Sequence, residues 1–286
     1  MMKDRILNRQ TAWNLINIKA RRQQTSEHYV NVLIKLYADD PLVDFPYGGK
    51  TASLKYLRKS ELLEKDGMPQ WLELGLLSYT IIDPTAFYNK KSQEDIRFDN
   101  WNDDIVANKK EVMLYFFPAI HMIAVKYNSP ITLKSIVFYL QESLNRIEKE
   151  MFDVDVIVER NMLDKILNAY SIVRLYANIS YSNPGFTDEF IAAFDSKLKE
   201  TAADKIEMTL SGTKNIPLKR EKDGVIEALV NLSERNGSLE ATIQETENSR
   251  LETIKTKNYP CKLILPQIIN SIPTTLLNYL KTIYGK

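Results

Sequence analysis

The sequence contains very few cysteine and histidine side chains. Among its 286 residues there are one cysteine, Cys261, and two histidines. A single cysteine excludes an intrachain disulfide framework and cysteine-based zinc or iron–sulfur sites, and two histidines leave only carboxylate-rich metal sites. The sequence therefore predicts neither a metal ion nor a cofactor, and we expect a reducing, cytoplasmic location.

Long apolar runs and the common nucleotide-binding and hydrolase motifs are also missing. No apolar run approaches the roughly 20 residues of a membrane-spanning helix, and the N-terminus lacks the apolar core of a signal peptide. The motifs GxGxxG, GxxxxGKS/T, GxSxG and HExxH do not occur. We therefore expect no membrane partner, and the enzyme classes that depend on these motifs are excluded.

Net charge provides no whole-molecule attraction to nucleic acid or anionic lipid. The chain carries 38 basic and 37 acidic side chains, which leaves a net charge of +1. Any basic binding site must therefore be local. The hydrophobic content of 44% and charged content of 26% lie in the range of folded proteins, so we expect a sizeable core rather than disorder.

The hydrophobic patterning predicts an α+β fold in two closely packed lobes. Residues 1–108 are predicted to form an N-terminal α+β lobe that ends in a polar, irregular excursion, and residues 109–286 a C-terminal lobe of repeated helix–strand units. Apolar and polar residues alternate in several strands. This alternation favours a mixed or largely antiparallel sheet with helices packed on one face over a doubly wound parallel sheet.

The stretch "YFFPAIHMIAVKY" predicts a hairpin over residues 111–127 with a histidine near the bend. We place His121 on the second strand, close to its end. An imidazole that meets solvent there acts as an acid, base or phosphate contact, whereas a covered one is a core residue with a hydrogen-bond partner. His121 is the candidate catalytic residue, and the core interpretation stays open. His28, in the first turn of a helix capped by Ser26, is predicted to be solvated.

Local basic clusters near tyrosines suggest a surface that binds nucleic acid. Lys19, Arg21 and Arg22 stand at a strand exit, and the Gly-Gly turn of "PYGGKT" offers backbone N–H groups to an anion. The candidate nucleic-acid or phosphate-binding residues are Arg21, Arg22, Gly48, Gly49, Lys50, Arg58, Lys126, Lys255 and Lys257. Charged strand edges that prevent aggregation, and a plain tight turn, also explain these residues, and both interpretations stay open.

Two acidic groups are the best carboxylate candidates for a hard cation. Asp103 and Asp104 stand beside Trp101, and Asp153 and Asp155 share one face of an alternating strand. The solvated face of a strand explains the second pair without any ligand. We therefore predict no metal site.

The order of elements resembles a family of uncharacterised bacterial proteins of about this length, known as a domain of unknown function. The segments that carry the resemblance are "INIKA", "GGKTASLKYL", "FFPAIHMIAV", "FDVDVIVE", "DKIEMTLSG" and "IKTKNYP". The resemblance implies one full-length module, a sporadic bacterial distribution typical of defence or toxin–antitoxin genes, and an aromatic–proline–histidine strand comparable to Phe117, Pro118 and His121. It carries over no established activity.

The leading hypothesis is a bacterial accessory protein of the antiphage-defence or toxin–antitoxin type that binds nucleic acid, with RNA favoured, and has ribonuclease activity centred on His121. The alternative is a non-catalytic module that binds a protein partner, as an antitoxin or effector regulator does. A third hypothesis is a nucleotide or small-molecule sensor built on Gly48, Gly49 and Lys50. The sequence leaves the oligomeric state open.

Overall fold

A computed structural model describes residues 11–96, 98, 102, 104–149, 151–180, 193, 196–197, 200–201, 205–265 and 271–284. Trp101 and Asp103, two of the residues singled out by sequence, lie outside this part of the chain. The described residues form fourteen strands and five helices. All pairings between these strands are antiparallel, so the predicted α+β class is confirmed in its antiparallel form.

Two antiparallel sheets and one short hairpin contain these strands. The strands are β1 (Thr11–Ala20), β2 (Val43–Asp44), β3 (Thr51–Lys59), β4 (Leu72–Ile81), β5 (Phe87–Asn89), β6 (Glu94–Ile96), β7 (Val106–Phe117), β8 (Met122–Lys126), β9 (Phe152–Val156), β10 (Ser171–Ser180), β11 (Lys205–Ser211), β12 (Gly237–Gln244), β13 (Leu251–Lys255) and β14 (Lys262–Leu265). The helices are α1 (Ser26–Asp39), α2 (Leu133–Ile147), α3 (Arg160–Asn168), α4 (Val225–Ser233) and α5 (Ile272–Tyr284).

The main sheet has the strand order β14-β1-β8-β7-β4-β3-β2, and β9 pairs with β1 beyond the end of β14. The irregular excursion lies inside a long hairpin of this sheet, because Ile81 at the end of β4 pairs with Val106 at the start of β7. The predicted division after residue 108 therefore falls within β7. A local pattern of alternation identifies a strand but does not identify its partner, so the grouping of strands into sheets follows from the pairing alone.

Alternation along β1 sends side chains to two separate cores. Ile16 and Ile18 point to the face that α1 and α2 cover, which we call the α1 face. Trp13 and Leu15 point to the opposite face, which α5 covers and which we call the α5 face. The first four residues of β8 are fully buried, which confirms the prediction that both faces of this strand are covered.

The second sheet has the order β11-β10-β12-β13. Helices α3 and α4 pack on one of its faces around a core that includes Leu163, Leu175 and Leu229. Along β10 the intervening side chains Arg174 and Tyr176 are only partly covered, so this sheet shows the polar face that its alternation predicts. None of the helices in the described part of the chain has both the length and the apolar run that crossing a membrane requires.

The two sheets meet at a buried polar group of side chains that we call the Lys19 cluster: Lys19, Asp155, Ser180, Asn17 and Asn236. Lys19 is fully buried. Its Nζ lies 2.8 Å from the Asp155 carboxylate and donates to the Ser180 hydroxyl. The Asn17 amide donates to the side-chain oxygen of Asn236 at 3.5 Å. Lys19, which the sequence groups with the surface cations, instead lies inside the protein. Its ion pair with Asp155 joins β1 to β9, and its hydrogen bond to Ser180 joins β1 to the end of β10.

Candidate active site

The two histidines of the chain meet at one tyrosine. His28 lies in the first turn of α1, and His121 lies between β7 and β8. Their ring centroids are 6.1 and 4.5 Å from that of Tyr29, in edge-on and stacked arrangements. We call His28, Tyr29, His121 and Glu148 the histidine cluster. Tertiary structure thus brings together the side chains that most often act as acid and base near neutral pH.

The backbone around Pro118 sets the position of His121. Pro118–Ile120 forms a single 3-10 turn, and His121 ends that turn in the left-handed conformation with φ 57°. The His121 carbonyl accepts a hydrogen bond of 2.9 Å from the N–H of Ile18. The prediction that His121 lies on the strand is wrong by one residue, since β8 begins at Met122. His121 has the parity of Ile123 and Val125, whose side chains belong to the core of the α1 face, and its ring lies on that same face against Tyr29 of α1.

Tyr29 occupies a place where the main sheet lacks a strand. The N–H of Ala20 at the end of β1 points toward the β8 side, where the chain has turned away at Pro118. The Tyr29 hydroxyl accepts a hydrogen bond of 2.8 Å from this N–H. Tyr29 is buried, and a buried backbone N–H without a partner is costly. This bond fixes the phenol ring against which both imidazoles pack.

His28 has a carboxylate partner and an aromatic neighbour. Its Nε2 lies 3.3 Å from the carboxylate of Glu148, and its ring is parallel to that of Phe152 with centroids 5.9 Å apart. The His28 side chain is 14% exposed and that of Glu148 is 33% exposed, so solvent reaches the pair. The helix is capped by Thr25, whose side chain accepts from the N–H of His28, one residue before the predicted Ser26. A carboxylate so placed orients the imidazole.

Two of the predicted cations lie beside the histidine cluster. Arg21 and Arg22 belong to the short connection between β1 and α1, and His28 follows in the first turn of that helix. The Nε of Arg21 lies 3.4 Å from the carboxylate of Asp153, whereas the Arg22 side chain is exposed. The exposed Arg22 guanidinium, a group well suited to a phosphate, therefore lies in the connection that leads into the helix turn of His28.

The predicted Gly-Gly turn lies at the other end of the main sheet. The pairing registers put the end of β3, the start of β4 and the turn before β8 at one end, which we call the His121 end. Arg58 lies at the His121 end, near the end of β3. Gly48, Gly49 and Lys50 precede β3 and lie at the opposite end. Both glycines have positive φ, 84° and 56°, which a tight turn requires and which glycine adopts without strain.

The remaining predicted cations are spread over both sheets. Lys126 ends β8, away from the His121 end. Lys255 lies on the edge strand β13 and pairs with Glu240 of β12 at 3.0 Å. Lys257 lies in the 3-10 turn that follows β13 and not on the strand that carries Lys255. The structure therefore does not gather the predicted cations on one surface.

The alternating carboxylates of β9 take part in ion pairs. Asp153 pairs with Arg21, and Asp155 pairs with Lys19. Within the described residues no group of three or more histidine, cysteine, aspartate or glutamate side chains is placed to hold a metal ion. Both aspartates therefore have a structural explanation in the described part of the protein.

Sequence patterns identify His121 but miss the rest of the histidine cluster. Tyr29 belongs to the apolar stripe of α1, and His28 and Glu148 read as solvated helix residues. The missing information is that the end of β1 and the start of β9 pass beneath α1. There the rings of Phe152 and Tyr29 pack edge-on, with their centroids 6.1 Å apart. The one local signal is that His28 directly precedes a buried tyrosine in the first turn of the helix.

Comparison with known families gives one result. A family model described as a domain of unknown function, DUF4747, matches residues 9–272. A search of the curated proteins finds no match. The matched region runs from before β1 to the first residue of α5, so it includes both sheets and the whole histidine cluster.

Proposed function

The chain belongs to the DUF4747 family, a domain of unknown function, and we propose that it binds RNA and cleaves it with His28 and His121 as an acid–base pair. One observation carries the proposal: two imidazoles pack against Tyr29, and the exposed Arg22 lies in the connection that leads into the helix of His28. A pair of imidazoles and a cation supply the groups that RNA cleavage through the ribose 2′-hydroxyl needs.

The proposed reaction is an internal transfer of the phosphoryl group. The neutral imidazole takes the proton of the ribose 2′-hydroxyl, and the 2′-oxygen forms a bond to the adjacent phosphorus. The bond from phosphorus to the 5′-oxygen of the next nucleotide breaks, and the protonated imidazole gives its proton to that oxygen. The products are a 2′,3′-cyclic phosphate and a 5′-hydroxyl. DNA lacks the 2′-hydroxyl and is therefore bound but not cleaved.

The proposal gives the two histidines different roles. His28 is the acid: its Nε2 lies 3.3 Å from the Glu148 carboxylate, which holds the imidazole in place for proton transfer. His121 acts as the base. Arg22 contacts the phosphate, where it stabilises the charge that develops on the equatorial oxygens. The proposal places this activity in a cytoplasmic bacterial protein of the antiphage-defence or toxin–antitoxin type, and that setting rests on the resemblance and the single cysteine.

The test uses a fluorescent oligoribonucleotide and its 2′-deoxy counterpart. The parent protein should convert the RNA to a 2′,3′-cyclic phosphate and leave the deoxy oligonucleotide intact, with binding that weakens as salt is raised. His28→Ala and His121→Ala should each lower the cleavage rate by about 10²- to 10⁴-fold. Lys109→Ala, which removes an exposed cation of β7, is the matched control and should cleave at the parent rate.

Two results would contradict the proposal. A His121→Ala protein that keeps the parent circular dichroism spectrum and the parent cleavage rate removes His121 from the mechanism. Failure of the parent protein to retain either RNA or DNA at low salt removes nucleic-acid binding altogether.

A second candidate function is protein binding through the excursion. Four large apolar side chains on and beside the β5–β6 hairpin are 45–58% exposed: Ile81, Tyr88, Phe98 and Ile105. Phe98 also packs edge-on against Phe87 with centroids 5.0 Å apart, so the hairpin presents an ordered apolar surface. Purification from the native host distinguishes the two functions, because a stoichiometric protein partner supports this one and bound RNA supports the first.

A further inference from the structure

A cleft of about 520 Å³ opens at the His121 end of the main sheet, on its α5 face. The end of β3, the start of β4 and the start of α5 line it, and it contains both aromatic and charged side chains. Its volume lies within the roughly 300–1,000 Å³ of small-molecule sites. The cleft is separate from the histidine cluster, which lies on the α1 face.

Trp71 provides the aromatic wall of the cleft. Its side chain is partly buried and packs against the core of the α5 face. Its carbonyl accepts a hydrogen bond of 3.0 Å from the N–H of Ser60, which continues the pairing of β3 and β4 next to the cleft. Packing against the α5-face core holds the indole, and the part of it that lines the cleft offers a surface on which a flat ligand can stack.

One cation lies on the same face as this indole: Arg58 pairs with Glu73, and Glu73 pairs with Tyr115 of the α5-face core. The Arg58 guanidinium lies 4.6 Å from the centroid of the Tyr56 ring and 3.5 Å from the Glu73 carboxylate, which orient it, and its side chain is 71% exposed. Lys59 borders the cleft as well, but its register partner Leu72 belongs to the core of the α1 face, so its side chain leaves the strand toward that face. The neighbouring Glu61 carboxylate is exposed and accepts hydrogen bonds only.

We propose that this cleft binds one nucleotide unit. The base stacks on Trp71, Arg58 contacts the phosphate, and Glu61 accepts hydrogen bonds from a ribose hydroxyl or an exocyclic amine. An apolar ligand does not explain the exposed guanidinium, and a bare anion does not explain the indole beside a carboxylate. The proposal does not depend on RNA cleavage, because the histidine cluster contributes no residue to the cleft.

A free mononucleotide and the terminal nucleotide of an RNA chain offer this same chemistry. Trp71 precedes β4, which lies two strands from β8, so the cleft and the turn that bears His121 are about 10 Å apart along the end of the sheet. An RNA chain bound at the histidine cluster can therefore place its end near the cleft, and the test must separate the two sources.

Isothermal titration with adenosine 5′-monophosphate, adenosine, ribose 5-phosphate and a 5′-phosphorylated oligoribonucleotide tests the proposal. The monophosphate or the oligonucleotide should bind more tightly than either fragment. Arg58→Gln, at a side chain that is 71% exposed, should weaken binding about tenfold and reduce its salt dependence. Trp71→Leu should weaken it about tenfold or more through lost stacking, and Lys109→Gln is the control that should bind as the parent does.

The results of these titrations distinguish a free nucleotide from an RNA end and show which result contradicts the proposal. Binding of the monophosphate that Trp71→Leu weakens assigns a free nucleotide to the cleft. Binding of the oligonucleotide alone assigns an RNA end only if Trp71→Leu weakens it, because RNA also binds at the histidine cluster in the proposed function. Measurements in the His121→Ala background should be unchanged, which distinguishes a failure of this proposal from a failure of the ribonuclease. Absence of binding of all four probes at millimolar concentration, or parent-like binding by both Arg58→Gln and Trp71→Leu, would overturn the proposal.

Discussion

The ion pair between Lys19 and Asp155 should respond unequally to the loss of its two members. Lys19 is fully buried, whereas the Asp155 side chain is 26% exposed. Asp155→Ala leaves a buried ammonium without its partner, while Lys19→Met leaves a carboxylate that water reaches. The asymmetry in exposure therefore predicts that removing the acid is worse than removing the base.

The magnitudes follow from the cost of an unpaired buried charge. Removing one member of a buried pair costs about 3–5 kcal/mol, and we expect this for Asp155→Ala. Lys19→Met keeps the length of the side chain and loses the bond to Ser180, which we expect to cost about 1–2 kcal/mol. The double variant contains no unpaired ammonium, so its cost should fall below that of Asp155→Ala alone.

Urea unfolding followed by tryptophan fluorescence and circular dichroism measures these free energies. The control is the exposed pair of Lys55 and Glu111, 3.0 Å apart with side chains 45% and 34% exposed. Lys55→Met and Glu111→Ala should each change the free energy of unfolding by about 1 kcal/mol or less. The reasoning is refuted if Lys19→Met costs as much as Asp155→Ala, or if the two costs simply add in the double variant.

Three further predictions concern single sites. Tyr29→Phe should lower the free energy of unfolding by about 1–3 kcal/mol in urea titrations, because the buried N–H of Ala20 loses its acceptor; an unchanged midpoint would contradict this. Gly237→Ala should destabilise by more than about 3 kcal/mol or prevent folding, since φ is 142° and a Cβ would lie 2.1 Å from the carbonyl oxygen of Asn178; a soluble variant with the parent midpoint would show that the turn relaxes. Burial raises the pKa of the Cys261 thiol, so iodoacetamide should alkylate it more slowly than it alkylates free cysteine at pH 8. The alkylation rate of Cys261 should also continue to increase above the pH at which the rate for free cysteine becomes constant. Equal rates at pH 8 would argue against burial.

Local patterns predicted much of the fold and little of the histidine cluster. Helix α2, the β7–β8 hairpin and strand β9 follow the periodicity of their own segments, which burial on one face imposes. His28 and Tyr29 illustrate the limit. Nothing near them in the sequence shows that His121 and Phe152 pack against them, because those contacts join segments that lie far apart along the chain.

Basic residues show the same limit, because cations that are neighbours in the sequence need not share a surface. Lys19, Arg21 and Arg22 form one cluster in the sequence, yet Lys19 is fully buried, Arg21 is paired with Asp153 and Arg22 is exposed. Alternation along β1 and the end of the strand separate them. A run of cations in a sequence therefore indicates a surface only after the strand that bears it has been placed.

Composition and periodicity by themselves determined that this protein is α+β, that cysteine and histidine chemistry is confined to three side chains, and that any basic site must be local. These properties depend on residue counts and on neighbours within a few positions. Tertiary structure alone decided that the excursion returns to its own sheet, that His28 and His121 share Tyr29, and that Trp71, Arg58 and Lys59 line one cleft. Strand register and helix docking create those contacts between distant segments, and no local pattern encodes them.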